Sequence, residues 1–79
     1  MNTTVSLMRV GSRAVITGYK EGPRDYRAKL LSMGLTRGTV IEILKKAPLG
    51  DPLEIKVRGF NLSLRKNEAE ILILEPVNG

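Results

Sequence analysis

At 79 residues the chain suffices for one small domain and is too short for a second domain, a repeat array or most catalytic folds. It contains no cysteine and no histidine, which excludes disulfides, Cys/His zinc sites and every nucleophile–base pair built on those residues, and favours an interaction module over an enzyme. The net charge of +5 is lopsided: residues 1–46 carry nine Lys and Arg against three acids, residues 47–79 four against five. Such a bias suits an acidic partner or an anionic surface, although a solvated face is the plainer reading of any charge excess.

Residues 1–9 include Leu7 and Met8 but no long apolar run and no cleavage signal, so no leader peptide is expected. Leu7–Val10 reads as a weak strand leading into Arg13–Tyr19, the first strongly β-branched segment. A helix of about three turns follows over residues 23–33, opened by Pro23 and closed by Gly34. Tyr26, Leu30 and Met33 share one stripe at i, i+4 and i+7, as a helix covering a barrel mouth requires. Leu31 lies about 160° round from Met33, among Arg24, Arg27 and Ala28.

Thr39–Lys45 is the next strand, and Leu53–Gly59 alternates cleanly with Leu53, Ile55 and Val57 inward. Phe60-Asn61 is expected as a tight link to Leu62–Arg65, making residues 53–66 a hairpin. One helical turn near 67–70 precedes a closing strand over Ile71–Glu75, ended by Pro76. Its four residues Ile71–Leu74 are the longest wholly apolar run, far below the ~20 needed to cross a bilayer. A cytoplasmic location is expected, and the sequons at Asn2 and Asn61 are read as chance. The order of elements is that of a mainly β, small five-stranded SH3-like barrel spanning residues 1–79, though periodicity alone does not separate it from an OB-like barrel.

The segment from Leu30 to Thr39 (LLSMGLTRGT), the segment from Ala47 to Phe60 (APLGDPLEIKVRGF) and the segment from Leu62 to Ala69 (LSLRKNEA) closely resemble the FeoA family, ferrous iron transport protein A. The combination of L-x-M-G-L-x-x-G-T with A-P-L-G-D-P and R-G-x-x-L-x-L-R is specific and covers nearly the whole chain, departing at residues 1–9 and at Lys20–Pro23. The resemblance implies a non-enzymatic cytoplasmic accessory protein of bacterial ferrous-iron uptake. Its partner would be the membrane transporter FeoB, which carries a GTPase domain, with membrane contact only through that partner and self-association left open. The chain is also similar to the SH3-like C-terminal domain of iron-dependent repressors, which implies the alternative of a regulatory module acting on DNA or a repressor.

Two groups of residues are candidates for partner binding. One is Arg24, Arg27 and Leu31, an apolar side chain ringed by cations. The other is the loop Pro48, Leu49, Gly50, Asp51, Pro52, which either contacts a partner or only rigidifies a long hairpin, with Asp51 satisfying turn amides. Gly34 and Gly38 do not form a phosphate loop, since no G-K-[ST] follows. Asp51 with Glu54 and Glu68 with Glu70 are the near carboxylate pairs; Glu68 and Glu70 read as solvated turn residues, and no tight iron site is expected. Arg65 reads either as a surface cation paired with Glu54 or Glu75 or as a residue facing a partner. No catalytic residue, no cofactor and no specific nucleic acid is expected; three aromatics and no basic run longer than Lys45-Lys46 make a poor stacking platform.

Overall fold

Aliphatic side chains at every second position of five short segments make one sheet. The computed structural model describes residues 2–77, with strands β1 (Arg13–Tyr19), β2 (Val40–Lys46), β3 (Leu53–Val57), β4 (Phe60–Leu64) and β5 (Leu72–Val77). They pair antiparallel in the order β4-β3-β2-β1-β5. Helix α1 (Arg24–Ser32) joins β1 to β2, and the single turn α2 (Lys66–Ala69) joins β4 to β5. This is the SH3-like arrangement expected.

The inward residues Ala14, Ile16, Ile41, Ile43, Leu53, Ile55, Val57, Leu72 and Leu74 merge into one core, each large aliphatic contributing about 1.5–3 kcal/mol on full burial. Leu30 from α1 and Ala69 from α2 complete it, while Tyr26 and Met33 pack at its margin. The helical stripe therefore faces the core as its spacing demands, and Leu31 is left 42% exposed on the other side.

Helix α1 ends in a Schellman motif. Met33 is the last half-helical residue, Gly34 takes φ +86°, and the amides of Gly34 and Leu35 donate to the carbonyls of Leu31 and Leu30, both at 3.0 Å. The apolar contact that accompanies such a cap is made by Leu30 and Leu35, both fully buried. A side chain at Gly34 would meet nothing within 4 Å, so the cost of adding one is purely conformational. Gly34→Ala is expected to lose about 1–2 kcal/mol. In a domain of this size that lowers the melting temperature by roughly 4–16 °C, readable in a thermal melt.

Several boundaries differ from the expectation, including the start of β5 at Leu72 rather than Ile71. Leu7–Val10 is not a strand: Val5–Leu7 forms a 3-10 turn that buries Val5 and Met8 and leaves Leu7 and Val10 exposed. The i, i+3 spacing of Val5 and Met8 is a turn's period. The segment is pinned at both ends, by Thr3 bridging Leu74 and by the Gly11 amide donating to the Ile43 carbonyl at 2.7 Å. The hairpin link is Arg58-Gly59 rather than Phe60-Asn61, with φ +48° and +89°. A two-residue turn with both central residues left-handed matches the twist of the strands, and it sets Leu62 opposite Ile55 and Leu64 opposite Leu53. Pro76 does not end β5 but pairs with Ala14 inside it; on an edge strand its missing N–H need cost no ladder bond. β2 starts one residue late, because Thr39 is buried in a hydroxyl cluster with Thr36 at 3.1 Å and with the Arg58 guanidinium at 3.1 Å.

Candidate partner-binding site

Helix α1 divides its charged side chains between two flanks. On one, Lys29 Nζ donates to both oxygens of Glu68, at 2.9 and 3.1 Å, tying α1 to α2. Glu68 also accepts a long bond from the Arg65 amide at 3.4 Å and is only 7% exposed. The expectation of a solvated Glu68 is therefore wrong. Its spacing three residues beyond Arg65 turns the carboxylate back over the start of α2, and the Lys29 ammonium makes that burial tolerable. Glu70 does not join it as a carboxylate pair but accepts the Ser6 amide at 3.1 Å. Arg65, placed at the entry to α2, makes no ion pair among the described residues, so the bridge to Glu54 or Glu75 is absent.

On the other flank, Arg24, Arg27, Ala28 and Leu31 face the Lys20–Pro23 loop and Ile71 across a groove of about 580 Å³. The Lys20 amide donates to the Ile71 carbonyl at 2.7 Å and holds the loop against the start of β5. Gly22 lies close over Ile71: a Cβ there would stand 2.6 Å from Ile71 Cδ1. The Arg27 guanidinium sits 5.1 Å from the Tyr19 ring centroid, a distance at which a cation is held by the ring face. Tyr19 is itself fixed, its hydroxyl donating to the Leu35 carbonyl at 2.6 Å.

The loop 48–52 lies elsewhere. The Gly50 amide donates to the Ala47 carbonyl at 2.7 Å, and the Ala47 amide to the Pro52 carbonyl at 3.1 Å. Asp51 accepts the Lys66 amide at 3.1 Å, so it serves the first turn of α2 rather than its own loop. Pro52 and Asp51 edge a second cleft, about 350 Å³, with Lys29 and Arg65. Leu49 projects from the tip, 89% exposed.

The structure thus brings Arg24, Arg27 and Leu31 into one groove, keeps Pro48–Pro52 together, and shares no lining residue between the two places. Ile71 completes the groove without any local sequence signal; the register of β5 against β1, where Tyr19 faces Leu72, puts it beside the loop that leads into the helix. Among the described residues no three carboxylates stand close enough to hold a metal ion.

A family model, the FeoA domain, matches residues 3–76. A fusion protein from Porphyromonas gingivalis, Fe(2+) transport protein A joined to the Fe(2+) transporter FeoB, is 32% identical over 74 residues, covering 94% of this chain. The chain spans 9% of that protein's length. Among solved structures, a FeoA-like protein from Clostridium acetobutylicum superposes with a TM-score of 0.87 at 35% identity over 99% of this chain and 90% of its own. A manganese-dependent transcriptional repressor in complex with manganese superposes with a TM-score of 0.88 at 10% identity, over 96% of this chain and 37% of its own. At that identity the likeness concerns the fold alone.

Proposed function

The chain belongs to the FeoA domain family, and from that premise we propose that it is a binding module, not an enzyme, of ferrous-iron uptake. It docks on a FeoB-type membrane transporter and modulates that transporter's GTP cycle or assembly. The observation that carries this reading is the Porphyromonas gingivalis protein, in which the same kind of domain is joined covalently to FeoB. Tethering two units raises their effective mutual concentration to about the millimolar range, an arrangement of use only where the two act together. A free chain must achieve the same by affinity.

The surface supports this reading. Its basic first half suits an acidic partner beside the anionic inner leaflet of a membrane. Among the described residues no helix is long and apolar enough to cross a bilayer; in this reading the partner supplies the membrane contact. Iron belongs to the transporter as cargo. In a cell that keeps its FeoB-type transporter, deleting this protein should lower anaerobic uptake of radioactive ferrous iron, and a plasmid copy should restore it. Uptake unchanged by the deletion would contradict the reading.

A further inference from the structure

We propose that the groove between α1 and the Lys20–Pro23 loop is the docking surface, and that its occupant is an acidic protein segment with one apolar side chain seated against Leu31 and Ile71. The inference rests on the transporter reading, which supplies the protein that carries the segment.

The charge argument comes from α1 itself. Lys29 is neutralised internally by Glu68 at 2.9 Å. Arg24 and Lys20, at the groove, have no charged partner among the described residues, and Arg27 meets a neutral ring. Three cations therefore stand against the single carboxylate of Glu21 around this groove. Cations left uncompensated beside an apolar floor favour a negatively charged occupant, which they attract from a distance and orient on arrival.

The apolar part comes from Leu31, Ala28 and Ile71. Leu31 is 42% exposed and Ile71 7%, so the former offers most of the surface still to be buried. The groove is concave and of a size to accept a few side chains. A lipid surface is instead met by the most exposed apolar residues, and those, Leu49, Leu7 and Val10, stand outside this groove. Concavity thus favours a protein segment over a membrane.

The groove is also set before anything binds. Arg27 is held over Tyr19, and Tyr19 is anchored on the carbonyl that follows the α1 cap. Less side-chain freedom remains to be lost on binding there than for a free arginine. Gly22 keeps the loop wall thin where any side chain would strike Ile71.

The test is a titration of purified, detergent-solubilised full-length FeoB-type transporter with fluorescently labelled protein. Variants are Leu31→Gln, Arg24→Glu and, on the separate loop, Leu49→Gln, each checked by thermal melt. Leu31→Gln should keep its melting temperature and bind about tenfold more weakly or worse, equivalent to about 1.4 kcal/mol. Arg24→Glu should weaken binding and flatten its salt dependence, whereas Leu49→Gln should bind as wild type. If wild type binds and both groove variants bind equally well, the groove is not the surface although the transporter reading stands. If wild type does not bind, both fail. A third arm uses vesicles of phosphatidylcholine and phosphatidylglycerol at about three to one. Loss of vesicle binding in Leu31→Gln, with transporter binding intact, would make the occupant a lipid surface and overturn the proposal.

Discussion

Leu30→Gln is expected to abolish cooperative folding. Leu30 is fully buried in the core cluster, and its carbonyl accepts the Leu35 amide that closes α1. Removing an aliphatic side chain of this size from a core costs about 2–5 kcal/mol. Leaving a buried amide without partners adds about 1–3 kcal/mol. A chain of this length has roughly 4–12 kcal/mol of total stability at the usual stability per residue, so the loss is comparable to the whole. Circular dichroism should show no cooperative melt, or one displaced by tens of degrees. The adjacent Leu31→Gln should melt like wild type, because that side chain already meets water. Two neighbouring leucines with opposite outcomes test the phase of α1 directly; a melt for Leu31→Gln as damaged as that of Leu30→Gln would show that the helix is turned the other way.

The Lys29–Glu68 bridge carries the second large effect, and its two ends are not equivalent. The Lys29 side chain is 47% exposed and that of Glu68 only 9%. Truncating Glu68 to Gln returns the ammonium to water at little cost and retains an acceptor for the Arg65 amide. Replacing Lys29 by Met leaves a carboxylate shut in with one long backbone bond, and uncompensated buried charge is strongly destabilising. Lys29→Met is therefore expected to lose about 2 kcal/mol or more and Glu68→Gln about 1 kcal/mol. The double change Lys29→Met with Glu68→Leu should recover most of the loss, since an apolar pair of similar volume removes the buried charge. Chemical denaturation of the three variants measures this order. Equal losses at the two ends would mean that water reaches Glu68.

Where the sequence was legible, the reason was periodicity. Leu53, Ile55 and Val57 alternate with charged residues, and β3 buries those three. Tyr26, Leu30 and Met33 recur at helical spacing, and α1 turns them to the core between Pro23 and the Gly34 cap. The same helical geometry groups Arg24, Arg27 and Leu31, and the three line one groove. Whether that groove binds a partner is a matter of surface chemistry, which periodicity does not address.

Where reading failed, the deciding contact was distant in the chain. Glu68 looks like a polar turn residue until Lys29, 39 positions earlier, is placed beside it. Asp51 looks like a local turn former, yet the amide it accepts is 15 positions on. Leu7–Val10 looks like a strand until Val5 is taken with it, whose burial the bridge between Thr3 and Leu74 helps to fix. Ile71 belongs to the groove through sheet register, 40 positions from Leu31 in the chain. The Arg58-Gly59 turn, by contrast, carries a local signal: a glycine after a residue able to take positive φ, between two alternating segments.

Size-exclusion chromatography with light scattering, on full-length FeoB-type transporter mixed with this protein in excess, tests the association most directly. Docking predicts a peak whose mass and composition include both chains at micromolar concentration, with the complex dissociating as salt is raised. Separate elution of the two chains at low salt, with this protein folded and the transporter competent to bind GTP, would contradict it.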